Sequence, residues 1–360
     1  MSTATPLTAA SVALAVAALT MSGALAAEEP ERRRALVIGI DGLTGPALHR
    51  YAFAEGANGA LRALMDRGVF APCESADDPS CARAHDGPAA GDEFRYETAS
   101  GWVSVITGMN NTGHGVRGNE FFEQTVFAET SRRHPSFFQR LRDLGLRSAA
   151  GGVANFLTSK DGKKIVSGIV DFECGVENGS LRVAWSDTKS CNLDWRRADD
   201  LESGRRDDDL AAWLLERIDD GHADLIMAVF DEVDAAGHSF GFEDTKRYPA
   251  AIGEVDVLVG RALDRVEARA GDAGEAWLVA LTSDHGGHDV LFGMYGVHEA
   301  TLPDDSAVPF VLATFGGSGP LAPLVAPVRH MDVHPTVVTW FGADPGAVDG
   351  RAQGIESPRP

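Results

Sequence analysis

Carboxylate and imidazole side chains follow three apolar runs of the chain, close to the points where those runs end. Asp41 follows the first run, Asp234 the second, and Asp284 with His285 the third. One aspartate after a strand is usually a helix N-cap or a turn residue, but three of them accompanied by histidines indicate a shared site. Asp234 and His238 are four residues apart, so both can reach one ion from a single helical turn. Aspartate and histidine ligands without cysteine are typical of a hydrolytic zinc pair.

Apolar periodicity indicates the elements that position these side chains. Continuous apolar runs predict buried strands at 35–40, 225–230, 277–281 and 308–313. Helical spacing of apolar residues predicts helices between the strands. Their apolar positions are Leu210, Trp213, Leu214 and Ile218 in one helix and Ile252, Val255, Val259 and Ala262 in the longest. The alternation predicts a three-layer α/β/α sandwich with a mostly parallel central sheet, in which functional residues gather at the carboxyl ends of the strands.

A candidate nucleophile lies between the first two predicted strands. Thr98 stands nine residues before a Thr-Gly pair at 107–108, and a His-Gly pair at 114–115 and then Asn119 follow. With this segment the chain resembles the alkaline phosphatase superfamily, and most of all its type I phosphodiesterase/nucleotide pyrophosphatase branch. The resemblance implies an alkaline phosphatase-like fold and a hydrolase that acts on phosphate esters.

The carboxylate and histidine motifs extend the resemblance. The Asp-x-x-x-His motif at 234–238 and the Asp-His-Gly motif at 284–286 match the family in type and order, so the similarity spans residues 36 to about 341. It implies two divalent metal ions, which we expect to be Zn²⁺. The ligands of the first ion would be Asp41, Thr98, Asp284 and His285. The ligands of the second ion would be Asp234, His238 and one distal histidine.

Four histidines are candidates for the distal ligand, namely His288, His298, His330 and His334. In the family this histidine precedes the next apolar strand by about ten residues, and His298 stands ten residues before Val308. The resemblance therefore favours His298. We expect His288 behind the ligands or at the surface, and His330 and His334 in solvated or capping positions at the start of a C-terminal helix.

One departure from the family concerns the second residue after the nucleophile, which is commonly proline and is Ser100 here. Ser100 is therefore an alternative attacking hydroxyl. The spacing to Trp102 and Thr107 favours Thr98, and we expect Ser100 to cap a helix that begins at Gly101 or Trp102.

The reaction that the resemblance implies passes through a phosphothreonine intermediate on Thr98. The amide of Asn119 and the backbone N–H groups at the helix start would hold the phosphoryl oxygens. Asn119 has no clear arginine partner, which favours phosphodiester or pyrophosphate bonds over the alternative of a phosphomonoesterase. A monoesterase would need a cationic side chain near the phosphate. The candidates are Arg117, Lys160, Lys163 and Lys164, and we expect all four at the solvated surface. An alternative from another class is a secreted binding protein without turnover.

The composition agrees with a hydrolase that acts on small molecules. The 360 residues include 53 acidic and 32 basic side chains, which gives a net charge of −21. This charge argues against a nucleic-acid-binding surface, because phosphate backbones are held mainly by clustered Lys and Arg. We therefore expect a small-molecule phosphate ester as the partner, and nucleic acid only in the form of nucleotide substrates.

The N-terminus predicts an exported protein, periplasmic or extracellular. Residues 1–26 have an apolar run followed by Ala24-Leu25-Ala26, as in a cleaved signal peptide. The run is too short to span a bilayer, which needs about 20 residues, so the mature chain is expected to have no membrane span. Four cysteines fit export, and local disulfides Cys73–Cys81 and Cys174–Cys191 are the simplest of the three possible pairings.

The remainder is expected to form one catalytic domain, residues 27–345, followed by a flexible tail at 346–360. An insertion at about 155–200 is longer than an ordinary connection of about 2–6 residues. We expect this insertion to form a cap beside the metal centre, with Cys174–Cys191 making it rigid.

Overall fold

The computed structural model describes residues 32–85, 96–116, 118, 133–152, 176–177, 180–181, 193–197, 206–291, 295–298, 302–317 and 319–355. Several expectations fall outside these residues. They concern the signal peptide at 1–26, most of the insertion at about 155–200, Arg117, Asn119, the three lysines at 160, 163 and 164, and the pair Cys174 and Cys191.

The central sheet is built from buried apolar strands. The strands of the described residues are β1 (Arg32–Ile40), β2 (Val69–Phe70), β3 (Ala82–Arg83), β4 (Ser148–Gly152), β5 (Val176–Glu177), β6 (Ser180–Leu181), β7 (Leu193–Arg197), β8 (Leu225–Phe230), β9 (Glu275–Thr282), β10 (His288–Val290), β11 (Tyr295–Val297), β12 (Ala307–Val308) and β13 (Phe310–Phe315). All four strands predicted from apolar runs are present, as β1, β8, β9 and β13.

Seven of these strands form one sheet in the order β2-β13-β9-β1-β8-β4-β7. β13 runs antiparallel to both of its neighbours, β9 and β2. The other neighbouring pairs are parallel. This confirms the predicted α/β class with a mostly parallel central sheet.

Helices cover both faces of the sheet. They are α1 (Gly45–Ala52), α2 (Ala60–Arg67), α3 (Thr98–Thr107), α4 (Asn111–His114), α5 (Phe137–Asp143), α6 (Arg206–Asp220), α7 (Glu232–Phe240), α8 (Arg247–Asp272), α9 (Pro303–Ser306) and α10 (Val333–Trp340), with a 3-10 turn at His330–Asp332. One hydrophobic core packs α3, α5 and α10 against the sheet. The other packs α1, α2, α6 and α8 against the opposite face. The three-layer sandwich is therefore as predicted.

Helix α8 shows why these segments are helical. Ile252, Val255, Val259, Ala262 and Val266 recur at helical spacing, and all five are buried against the sheet. An apolar stripe of this kind stabilises a helix by burying one face of it.

Helix α3 is different, because it is apolar or small on every side. All of its residues from Ala99 to Thr107 are buried, and Thr98 at its start is partly exposed. A helix that is hydrophobic all round belongs inside the protein. Its first residue therefore emerges from the core at a fixed place.

Smaller pairings join the loops at the carboxyl edge of the sheet. β10 and β11 form an antiparallel hairpin, and β3 pairs antiparallel with β12. The disulfide Cys73–Cys81 is present as predicted and closes the loop that leads into β3.

Residues 346–355, which belong to the expected tail, pack against the domain. Gln353 is completely buried, and its side-chain amide donates to a carboxylate oxygen of Asp332 at 2.8 Å. Among the described residues, no helix combines the length and the apolar character needed to cross a membrane.

Candidate active site

The parallel strands bring the predicted carboxylates to one edge of the sheet. Ile40 at the end of β1 lies opposite Phe230 at the end of β8, and Gly39 lies opposite Thr282 at the end of β9. The residues that follow these strands therefore meet. The sequence-predicted residues that meet there are Asp41, Thr98, Asp234, His238, Asp284, His285 and His298.

Asp234, His238 and His298 form the first group of potential ligands, with their ligand atoms within 4.8 Å of one another. His238 Nε2 lies 3.3 Å from Asp234 Oδ2 and 3.1 Å from His298 Nε2. The Nδ1 atoms of both histidines face main-chain carbonyls, that of Gly296 for His238 and that of Tyr96 for His298. Such carbonyls fix the ring tautomer and direct Nε2 at an ion.

Asp41, Asp234 and His285 form a second group within the same distance limit, so Asp234 belongs to both. His285 Nε2 lies 3.4 Å from Asp41 Oδ1, 3.4 Å from Asp284 Oδ2 and 3.5 Å from Thr98 Oγ1. The Nδ1 atom of His285 is held by the carbonyl of Gly286 at 2.8 Å. The arrangement places a hydroxyl beside a buried cluster of carboxylates and imidazoles.

The chemistry of these side chains fits metal ions. One oxygen each of Asp41, Asp234 and Asp284 is buried without a well-formed hydrogen bond, and those of Asp41 and Asp284 have only the ion-pair contact with His285 Nε2 at 3.4 Å. Burial and the charge of Asp41 raise the pKa of Asp284 well above its usual range. Buried carboxylates that lie this close together are unfavourable unless cations or protons neutralise them. The Asp/His groups of this site can therefore hold metal.

Close packing at two glycines makes the cluster compact. A side chain at Gly101 in α3 would collide with Asp284, and one at Gly42, which has a φ of 63°, would collide with Asp234. Glycine is the residue that accepts both the positive φ and the close approach. The first turn of α3 thus lies directly against a predicted metal ligand.

Helix α3 begins at Thr98, with Glu97 as its N-cap, three or four residues earlier than predicted. The expectation that Ser100 caps this helix was therefore wrong. Ser100 lies inside the first turn, completely buried, with its Oγ 3.3 Å from His85 Nε2. Its burial argues against Ser100 as the attacking hydroxyl and leaves Thr98 at the exposed helix start.

The other distal-ligand candidates belong to neither of the two ligand groups among the described residues. His288 is half-buried, and its Nδ1 lies 2.6 Å from Asp305 Oδ1. His330 and His334 are completely buried, so the expected solvated or capping positions were wrong. The ring of His334 faces the carbonyl of Ile106, near the far end of α3. The ring of His334 also stacks on Phe137, whereas Nε2 of His330 accepts the backbone N–H of His85.

Three further contacts of the site were not predicted. Trp102 donates its indole N–H to Asp41 Oδ2 at 3.2 Å, the carbonyl of Tyr96 faces His298, and His85 contacts Ser100. Trp102 follows Thr98 by one helical turn, so helical spacing could have placed it on the same face. Nothing in the sequence indicates the roles of His85 and Tyr96.

The sequence profile of the type I phosphodiesterase/nucleotide pyrophosphatase family matches residues 35–307. The chain belongs to this family. The family confirms the resemblance inferred from the motifs, and with it a phosphoric ester hydrolase. Among curated proteins, none matches this sequence.

Solved structures show the same fold at low sequence identity. Murine ectonucleotide pyrophosphatase/phosphodiesterase 5 has a TM-score of 0.58 and 12% identity, over 88% of this chain and 97% of the murine chain. An inactive threonine-to-alanine variant of that protein in complex with AMP has a TM-score of 0.57 and 12% identity over the same shares. A phosphonate monoester hydrolase from Silicibacter pomeroyi has a TM-score of 0.53 and 16% identity, over 89% of this chain and 75% of the hydrolase.

Proposed function

We propose that this family member is an exported, metal-dependent hydrolase of phosphodiester or pyrophosphate bonds, with Thr98 as the nucleophile. The observation that carries the proposal is the position of the Thr98 hydroxyl. It stands at the start of a buried helix, 3.5 Å from His285, beside three carboxylates that each have an oxygen without a well-formed hydrogen bond. A hydroxyl in this position can attack a phosphoryl group held at the same cluster.

Two divalent ions, expected to be Zn²⁺, would bind in this cluster with the ligand sets that the family resemblance implies. Asp41, Thr98, Asp284 and His285 would hold one ion, and Asp234, His238 and His298 would hold the other. Ions bound there would lower the pKa of the Thr98 hydroxyl and would neutralise negative charge on the phosphoryl and leaving oxygens.

The protein's own contribution is orientation. Thr98 gives up its hydroxyl proton and Oγ1 forms a bond to phosphorus, while the bond to the leaving oxygen breaks and that oxygen takes up a proton. Water then attacks the phosphorus of the phosphothreonine, the bond from Oγ1 to phosphorus breaks, and the phosphate product and the Thr98 hydroxyl are released. The N-terminal end of α3 favours the negative phosphoryl oxygens. Asn119, carried over from the family resemblance, would hold the same oxygens through its amide.

The preference for diesters rests on the charge around the cluster. Apart from burial, the groups among the described residues that most affect the pKa values of Asp41, Asp234 and Asp284 are these aspartates themselves and the histidines. A monoester carries one more negative charge, which a neighbouring Arg or Lys would have to balance. AMP in the related murine structure supports a nucleotide as the class of ligand but not the choice of diester, because AMP is itself a phosphate monoester.

Export is proposed from two features. The predicted signal peptide covers residues 1–26, and the disulfide Cys73–Cys81 is of a kind that persists in oxidising compartments.

The test is a comparison of chromogenic phosphodiester, phosphomonoester and sulfate ester substrates with the metal-loaded protein. We expect the diester to be hydrolysed fastest. Thr98→Ala should lower kcat by at least about 1,000-fold while the metal content stays close to that of the wild type.

Faster turnover of the monoester would indicate a phosphomonoesterase. An active Thr98→Ala variant would show that the nucleophile is another group. Failure of the wild type on every ester, with metal bound, would favour a binding protein.

A further inference from the structure

His85 lies outside the ligand groups and is completely buried just after β3. Its backbone has a φ of 52°, a value that few residues other than glycine adopt. A backbone conformation of this kind persists only where the surrounding contacts enforce it, and such positions concentrate at functional sites. The contacts of His85 identify what it holds.

The ring of His85 joins two serines of helix α3. Its Nδ1 lies 3.1 Å from Ser104 Oγ and its Nε2 lies 3.3 Å from Ser100 Oγ. Ser100 and Ser104 are one turn apart, so they present the same face of the helix to the ring. The ring also stacks on Tyr96, with centroids 5.7 Å apart.

The N–H of Val116 donates to His114 Nδ1, so His114 Nε2 carries the proton and lies 2.9 Å from Ser104 Oγ. A neutral His85 ring has one donor and one acceptor nitrogen, and the hydroxyls of Ser100 and Ser104 can satisfy both. The tautomer that we take for the proposal has Ser104 donating to His85 Nδ1 and His85 Nε2–H donating to Ser100. Burial lowers the pKa of His85 well below its usual value, which keeps the ring neutral in this arrangement.

The main chain of His85 makes a further connection. Its N–H donates to Nε2 of His330 at 3.0 Å. The main-chain groups of Ser283 and Asp284 act to raise the pKa of His330, so the ring lies near that segment, although its Nδ1 makes no hydrogen bond. The same residue therefore contacts helix α3 with its side chain and, through His330, the segment that carries Asp284.

Thr98 and Ser100 point to opposite sides of α3, because two residues correspond to about 200° of rotation. The Thr98 side, which also carries Trp102, faces the ligand cluster. The Ser100 side faces His85. Rotation or sliding of the first turn would break the bonds to His85 and move the Thr98 hydroxyl.

We propose that His85 is a positioning residue for the nucleophile: its bonds to Ser100 and Ser104 hold the first turn of α3 in the orientation that directs Thr98 Oγ1 at the ligand cluster. This inference rests on the proposed role of Thr98.

The experiment compares His85→Asn and His85→Gln with the wild type in the metal-loaded protein. Asparagine accepts a positive φ and can replace the acceptor toward Ser104, but it is too short to donate to Ser100. We expect His85→Asn to lower kcat by about 100-fold, as misplacement of a reacting group by about 1 Å does. KM should change by less than about threefold and the metal content should not change. Glutamine reaches Ser100 with its amide N–H, so kcat of His85→Gln should be at least about tenfold higher than kcat of His85→Asn.

The matched control is His334→Asn, the same substitution of a buried histidine at the other end of α3. It should lower the melting temperature without changing kcat at 25 °C. A second measurement does not depend on turnover: in the wild type, ¹⁵N shifts should show His85 protonated at Nε2, and Ser100→Ala should shift that signal but not the signal of His334.

The inference would be overturned if His85→Asn and His334→Asn lost the same melting temperature and both kept the wild-type kcat. His85 would then only stabilise the fold. An unchanged His85 signal in Ser100→Ala would also overturn the inference, and this measurement decides the question if His85→Asn fails to fold. Thr98→Ala in the same assay separates the two proposals. An inactive Thr98→Ala with a fully active His85→Asn rejects the inference alone, whereas an active Thr98→Ala rejects the proposed function and the inference with it.

Discussion

Two groups of three histidines lie near helix α3, and they differ in what surrounds them. His238, His285 and His298 lie among carboxylates that have oxygens without a well-formed hydrogen bond. The other group consists of His85, His114 and His330, which lie among serines and main-chain groups. The first group can take up cations, whereas the second is held by protein hydrogen bonds.

The pKa directions follow from these surroundings for His285 but not for His298. Burial acts to lower the pKa of His285, but the charges of Asp284 and Asp41 outweigh it and raise the pKa well above the usual value. Burial lowers the pKa of His298 to about 3, as it does the pKa values of His114 and His330 in the other group. Neighbouring carboxylates and an open ring nitrogen, rather than the direction of its pKa, therefore identify a buried histidine as a potential ligand.

The largest effect is expected from replacing a histidine that lies among the carboxylates. His298→Ala should lower both the metal content and the activity, the activity by more than about 100-fold, since removing even an outer-shell partner costs about 10–100-fold. Metal analysis and diester hydrolysis measure the two quantities. His334→Ala is the control and should keep its metal. Full activity in His298→Ala with loss in His334→Ala would show that His334 is the distal ligand.

Metal binding should stabilise the fold through the cluster of carboxylates and histidines, and not through the group of His85, His114 and His330. At a free metal concentration of about 100 times Kd, the free energy of unfolding should rise by about 2.7 kcal/mol, because the unfolded chain lacks the assembled site. Urea unfolding with and without metal measures this gain. Asp234→Asn should lower the gain, because one of the two proposed ions loses a ligand, and His114→Asn should retain the full gain. A full gain in Asp234→Asn would show that Asp234 holds no ion.

A smaller effect is expected from acid on the buried neutral histidines. Burial lowers the pKa of His334 to about 4 in the folded protein, while an unfolded histidine has a pKa of about 6.5. Between these values the unfolded state binds more protons, so the stability is fully present above about pH 6.5 and is lost as the pH falls toward 4. Because His334→Asn lacks the titrating ring, its unfolding free energy should fall less steeply with acid than that of the wild type, by up to about 1.4 kcal/mol per pH unit.

Urea unfolding at pH 7.5, 6 and 5 checks this expectation. The difference in unfolding free energy between the wild type and His334→Asn should shrink as the pH falls. A difference that stays constant would show that His334 does not titrate between the folded and unfolded states.

The features that the sequence predicted correctly depend on local periodicity. Apolar runs such as 35–40 and 225–230 formed the central strands, because a strand buried on both faces needs continuous apolar residues. The aspartates that follow these strands had to converge, because parallel strands end at one edge of the sheet. The pair Asp234 and His238 met because their spacing equals one helical turn.

What the sequence by itself determined is thus the α/β fold and the set of carboxylates at the strand ends, since both follow from residue order within single elements. The family resemblance favoured His298 as the histidine that joins them, but only the tertiary structure decided how it is held, because His298 reaches the cluster from a hairpin and is oriented by Tyr96, 202 residues away. It also decided that Ser100 is buried and that His85 contacts the nucleophile helix. Contacts between distant segments depend on how helices and loops pack in three dimensions, and no spacing along the chain encodes them.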